Sequence, residues 1–222
     1  MRQKSLPAAL LLAAAALFQA LPASADWHLF GARGSGVIKT EPRQTGNFDM
    51  ILSKGSVDAD ITIGPQLSVA VEADDNLLPL IHTEVKNGAL VIDTEGNWSS
   101  RHDPVVHITM PSLGAIGIDG SGDAQIRGLN GGALGTRIRG SGDITATGSV
   151  GQLEVVIDGS GDVDCKDLHA DDVAVRVDGS GDAKVYANKA LRVVINGSGD
   201  VTYSGDAQLT SSVHGSGDLM KK

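Results

Sequence analysis

From Gly114 to the end of the chain, apolar and polar positions alternate. Six short stretches read Gly114, Ile116, Ile118; Leu134, Thr136, Ile138; Leu153, Val155, Ile157; Val173, Val175, Val177; Leu191, Val193, Ile195; and Leu209, Ser211, Val213 at every second position, with mostly small or polar residues between. Successive side chains of a strand point to opposite faces, so a period of two marks a strand with one buried face. Each stretch runs into the same tetrapeptide, Gly-Ser-Gly-Asp, at Gly120–Asp123, Gly140–Asp143, Gly159–Asp162, Gly179–Asp182, Gly197–Asp200 and Gly215–Asp218. A shorter alternation follows: Ala124 and Ile126, Ile144 and Ala146, Val163 and Cys165, Ala183 and Val185, Val201 and Tyr203. The unit predicted is strand, turn, short strand, second turn.

The tetrapeptides start 20, 19, 20, 18 and 18 residues apart. A near-constant period of this size is the mark of a solenoid, in which each repeat is one coil stacked on the last. The expected fold is all-β, a right-handed single-stranded parallel β-helix with coils of ~20 residues. Three other folds have repeats of comparable kind. A leucine-rich repeat needs a helix or its equivalent after each strand, and the linking residues are too few and too polar. A calcium-binding β-roll needs its glycine motif at half this period. An antiparallel meander would make each tetrapeptide a hairpin. It gives no reason for like residues to recur at the full period, whereas a parallel coil puts Leu153 over Leu134 and Ile157 over Ile138.

Upstream, Val37 to Met110 is less regular but still β-like, with Ile61-Thr62-Ile63, Leu67 to Val71, Ala89 to Ile92 and Val105 to Thr109 as strand material. Asp74-Asp75-Asn76, Lys86-Asn87-Gly88 and Glu95-Gly96-Asn97 are turn clusters. The division expected is a signal peptide over 1–25, a flexible leader over 26–36 and one β-helix domain over 37–222. That domain has irregular opening coils over 37–111 and regular Gly-Ser-Gly-Asp coils over 112–222. The signal peptide reads from Arg2 and Lys4, an apolar run from Ala8 to Leu21, and Ala23-Ser24-Ala25 before the cut. Export to the periplasm or beyond is the localisation expected, with cleavage near Ala25. No cysteine stands at the cut to carry a lipid, and no later run is long enough for a membrane-spanning helix.

The formal net charge is −9, and it becomes more negative once Arg2 and Lys4 are removed. That argues against nucleic acid and anionic lipid as partners. It leaves divalent cations or a basic partner. Cys165, the only cysteine, falls on an inward position and reads as a buried, inert thiol.

Two polar rows carry the candidate chemistry. Asp123, Asp143, Asp162, Asp182, Asp200 and Asp218 would stack at the ~4.8 Å strand spacing, where two carboxylates repel by ~1 kcal/mol in water. Backbone amides and solvent can hold such a row, or calcium can bridge it; otherwise no cofactor is expected. The second row, Asp119, Arg139, Asp158, Asp178, Asn196 and His214, would fix register on a solvated face or form a polar binding stripe. The six histidines show no metal-ligand spacing. Polysaccharide lyases and hydrolases use β-helices, and Asp158, Asp178, Arg176 and Lys184 are the residues such an enzyme would bring together. Regular repetition and scarce aromatics weigh against it. The reading is a non-enzymatic cell-envelope module presenting a repetitive polar face to a glycan or an envelope protein, with a purely structural role as the alternative. The array stops at Asp218-Leu219-Met220 without a cap, which leaves two readings: Lys221 and Lys222 blunt the open edge by charge, or the alternative, an end-to-end homo-oligomer, covers it.

Gly34-Ser35-Gly36 with Glu41-x-Arg43, Phe48-x-x-Ile51, Glu72-Ala73-Asp74-Asp75-Asn76, Thr83-Glu84-Val85, Leu90-x-Ile92, Ile108-Thr109-x-Pro111 and the Gly-Ser-Gly-Asp array together resemble the head GIN domain family of auto-transporter adhesin heads. The resemblance implies an exported β-helical protein. It brings no catalytic residues with it.

Overall fold

The structure, a computed structural model, describes residues 31–222. The expected signal peptide lies outside these residues, as does the first part of the expected leader. The chain forms a β-solenoid with two walls. Its strands are β1 (Ala32–Arg33), β2 (Ile38–Arg43), β3 (Met50–Gly55), β4 (Asp58–Ile63), β5 (Ser68–Asp74), β6 (Ile81–Lys86), β7 (Ala89–Thr94), β8 (Trp98–Ser99), β9 (Val105–Met110), β10 (Ala115–Gly120), β11 (Ala124–Asn130), β12 (Ala133–Gly140), β13 (Ile144–Gly159), β14 (Val163–Gly179), β15 (Ala183–Gly197), β16 (Val201–Ser204), β17 (Gln208–Gly215) and β18 (Leu219–Lys221).

The first wall stacks β6, β7, β3, β10, β12, the second halves of β13, β14 and β15, then β17. The second wall stacks β2, β5, β9, β4, β11, the first halves of β13, β14 and β15, then β16 and β18. Gly-Ser-Gly-Asp is the sharp corner from the first wall to the second. The return corner, expected as a second turn, is in β13 to β15 a bend within an unbroken strand. A shift of register marks the bend between Thr145 and Gly148, and Gly148 has a φ of 124° there. Bulges of this kind let one strand serve two walls.

Throughout the array the pairing is parallel and like lies over like: Leu134 on Leu153, Ile138 on Ile157, Val173 on Leu191. These rows are buried, as are Ile144, Val163 and Ala183 and the row Ile126, Cys165, Val185 from the second wall. Each large aliphatic side chain sealed in this way contributes ~1.5–3 kcal/mol. Thr136, an inward polar residue, is satisfied by donating to the Glu154 carbonyl at 3.2 Å. Cys165 is fully buried, and burial pushes its thiol up to about 12.

The opening region departs from a simple stack in two ways. First, three pairings are antiparallel: β2 with β5, β5 with β9, and β6 with β7. Asn87-Gly88 closes the β6–β7 hairpin with φ of 52° and 81°, the positive values a two-residue hairpin turn demands. Strand β2 pairs only with β5 and carries Lys39, Glu41, Pro42 and Arg43, a composition that blunts a sheet edge. Second, spatial order is not chain order. The coil of β3 and β4 is wedged between the later coil of β7 and β9 and the still later coil of β10 and β11.

The corner of the wedged coil is Gly55-Ser56-Val57-Asp58, in register with Gly120–Asp123. It is a further, altered copy of the tetrapeptide. Beneath it the chain from 95 to 104 makes a wide detour through β8 instead of a tight corner. Val57, fully buried, stands where the other copies need glycine. Residues 31–36, at the end of the expected leader, are held: β1 pairs with β8, and the Gly36 amide donates to Asp74 Oδ1 at 2.5 Å.

Candidate functional site

At each regular corner the Ser amide donates to the first Gly carbonyl of the preceding coil, and at all but the Ser160 corner the amide of the second Gly does so too, as Ser141 and Gly142 do to Gly120 at 2.9 and 3.2 Å. Both glycines are demanded by the coil beneath. At the first, a Cβ on Gly159 would drive into the Gly140 carbonyl, and its φ of 157° adds a conformation that side chains rarely adopt. At the second, a Cβ on Gly161 would drive into the Gly142 carbonyl and meet Ile138 Cγ2 at 3.1 Å.

The aspartates form the expected row, and each holds the next. The amide of Asp143 donates to Asp123 Oδ1 at 2.9 Å; those of Asp162, Asp182, Asp200 and Asp218 donate to the preceding carboxylate at 2.8 Å each. The row begins one coil earlier than the regular repeats, with Asp123 donating to Asp58 at 2.8 Å. One oxygen of each carboxylate except the last is thus committed to an N–H. Such bonds are charge-assisted and offset the repulsion between neighbours. Asp58 titrates above the usual carboxylate range, because burial raises it and the Asp123 and Asp103 charges add to this, against the Asp123 amide. Among the described residues no group of three or more His, Cys, Asp or Glu is arranged to hold a metal ion.

The second row also lies in register on the outer face of the first wall: Asp119, Arg139, Asp158, Asp178, Asn196, His214, with Lys54 one coil before. Its members bind one another and their neighbours. Arg139 grips Asp119 with two bonds of 2.7 and 2.8 Å, Arg137 bonds Asp158, and Arg176 reaches Asp178 at 2.6 Å. Asn196 donates to Asp178 at 2.5 Å, and this bond, with Arg176, holds the Asp178 carboxyl below its usual range against a smaller effect of desolvation. Asp158, Asp178 and Arg176 do share this face. Lys184 does not: it belongs to the first half of β15, in the second wall, beside Asp164. The four-residue cluster expected of an enzyme is therefore split by the corner.

Next to the row, a groove of about 660 Å³ crosses the starts of successive strands of the same wall. Its floor is small residues such as Ala133 and Ala190, and its rim carries Gln152, Glu154, Asp172 and Arg192. Glu154 and Arg192 flank Ala174 in register and make no ion pair among the described residues.

Two clusters were not anticipated as sites. On the second wall, His107 lies 3.7 Å from Asp60 and 3.6 Å from Glu72, His102 is 3.1 Å from Glu72, and Arg127 reaches Asp60 at 2.7 Å. At the start of the described chain, Asp74 is 2 % exposed and accepts from the Gly36 amide and the Ser100 hydroxyl, while Ser35 bonds Asp75 and Asn76. The motif Asp74-Asp75-Asn76 was legible as a turn; its clasp on Gly34-Ser35-Gly36 joins residues some 40 positions apart, beyond any local pattern.

Residues 47–207 match the family described as "Putative auto-transporter adhesin, head GIN domain". A comparison with curated protein sequences gives no match. Among solved structures, a putative adhesin from Bacteroides fragilis superposes with a TM-score of 0.71 at 20% identity, covering 86% of this chain and 100% of that one. A putative lipid binding protein from Parabacteroides distasonis gives 0.54 at 23% identity, over 86% and 99% of the two chains. A putative adhesin from the same organism gives 0.51 at 19%, over 86% and 100%. At these identities the likeness is one of fold.

Proposed function

Since the chain belongs to the "Putative auto-transporter adhesin, head GIN domain" family, we propose that it is an exported, non-enzymatic, adhesion-type module of the cell envelope. The outer face of its first wall is the binding surface, for a glycan or an envelope protein. The observation that carries this reading is the unbroken polar row from Asp119 to His214, lying in register beside a groove whose Glu154 and Arg192 are uncommitted. A repeated face of this kind suits a repeated partner, because each coil offers its side chains at the same ~4.8 Å step. Asp178 itself is poorly suited to acid catalysis. A general acid needs a carboxyl raised towards neutrality, and Asp178 is held low by Asn196 and Arg176. End-to-end association through β17, whose Leu209 and Val213 are about two-fifths exposed, is part of the same proposal.

The test is a screen of the purified protein against envelope polysaccharides and envelope proteins, scoring capture and product release together. Capture without turnover, weakened at least tenfold in the double variant Glu154→Ala/Arg192→Ala, is the result expected. Released oligosaccharide would overturn the non-enzymatic reading. Failure to capture any of them would favour a purely structural role.

A further inference from the structure

The detour beneath the wedged coil builds a second concave surface, on the Gly-Ser-Gly-Asp corner rather than on the wall. It is a groove of about 540 Å³ lined by Trp98, Asn97 and Thr94 on one side and by Ser56, Ser121 and Ser141, with their neighbouring glycines, on the other. Three properties set it apart. In a strongly acidic protein, no charged side chain lines it. Its polar groups are the serine and threonine hydroxyls and the Asn97 amide, and none of these side chains forms a hydrogen bond within the described residues. Its one aromatic group is held in place: Trp98 is half-buried, packs on the core and sits in β8 against β1.

We propose that this corner is a binding site for an uncharged glycan. A concave surface with one apolar platform and several convergent neutral donors and acceptors is the usual composition of a small-molecule site. A pyranose ring fits both halves of it. Its C–H face packs on the indole, and its hydroxyls bond to hydroxyls and amides, which give and accept equally well. The missing charge selects against a uronic acid, a phosphate or an acidic or basic peptide, none of which would find a counter-ion here. The amides of Ser121, Gly122, Ser141 and Gly142 are spent on the preceding coil, so a peptide would find none of these donors.

The serines do not stop at the groove. Ser160, Ser180, Ser198 and Ser216 continue the row along the corner, all exposed. Their ~4.8 Å spacing is close to the advance of one ring in an extended glycan, so a linear chain can leave Trp98 and run along the axis with about one sugar per coil. This role for the tetrapeptide's serine is separate from the structural work of its glycines and aspartate. The inference shares with the adhesion reading only the class of ligand, and does not need the wall to bind anything.

The experiment uses the Trp27→Phe variant, in which Trp98 is the sole tryptophan. Tryptophan emission is followed during titration with cellotetraose, maltotetraose and mannotetraose, with a tetragalacturonate as the charged control. The expected result is a saturable emission change with at least one neutral tetrasaccharide and none with the control. Trp98→Ala, read by calorimetry, should abolish binding. Because that change also removes packing, Ser141→Asp is the second variant; it leaves the core untouched, introduces a charge and should weaken binding at least tenfold. If no neutral tetrasaccharide binds, or if Trp98→Ala and Ser141→Asp both bind as tightly as the parent, the corner site is overturned. Binding that survives both variants but is lost in Glu154→Ala/Arg192→Ala would place the glycan on the wall, overturning this inference while supporting the adhesion surface.

Discussion

The residues of the corner are not equivalent, although all four repeat. Ser160 is exposed, and its amide rather than its hydroxyl makes the corner bond. Gly161 faces the backbone of Gly142, where no other residue has room. In chemical denaturation, Gly161→Val should cost more than ~4 kcal/mol or prevent folding, while Ser160→Ala should stay within ~0.5 kcal/mol. Equal losses would mean that the close approach at the corner is not what demands glycine. Asp58 makes a second prediction at this scale. Its carboxyl is raised in the folded state by burial and by Asp123 and Asp103, so the folded protein binds that proton more tightly than the unfolded chain does. Stability therefore falls as pH rises from the unfolded carboxylate pKa through the folded one. Asp58→Asn keeps an acceptor for the Asp123 amide and removes the charge. Its melting temperature should exceed that of the parent at neutral pH, by the equivalent of less than ~1 kcal/mol at this partly solvated group, and the two should converge as pH drops through the carboxylate range.

At the scale of elements, the aspartate row acts as a stitch along one edge of every coil. Asp162→Ala should remove the acceptor for the Asp182 amide and cost ~1.5–3 kcal/mol, while Asp162→Asn, which can still accept, should recover most of it; urea titration of the two variants gives the comparison. Equal costs would mean that charge, not the bond, matters there. The regular strands and corners were legible in the sequence, because alternation and turn chemistry are local. The same is true of the buried Cys165. The β6–β7 hairpin was legible in principle from Asn87-Gly88, but a coil-wide expectation of parallel strands overrode that signal. The altered corner at Val57 escaped because one aliphatic residue replaces the glycine that defines the repeat. The separation of Lys184 from Asp178 escaped because the tetrapeptide between them turns the chain onto another wall, so nearness in sequence misled.

For the molecule as a whole, what could not be read was the stacking order. Periodicity says that coils stack; it says nothing of which coil lies beneath which. The coil of β3 and β4 has neighbours on both sides that are made after it. Its amides should therefore be among the slowest to exchange, while β17, paired on one edge only and exposed along its length, should exchange fastest. Hydrogen exchange resolved by mass spectrometry would show this order, and fast exchange over 50–63 would contradict the wedge. The candidate wall was readable as a row of residues. The Trp98 groove was not, since it joins a detour to corners more than 20 residues away from it, before and after.

Near-identical repeats carry a hazard: a growing stack can slip by one whole period and still match aliphatic to aliphatic. Val57 removes that freedom. Its side chain occupies the place where a standard corner underneath would have to run, so only the wide loop from 95 to 104 can lie below it. One substituted glycine thus gives the ladder a bottom rung, from which every later turn is counted.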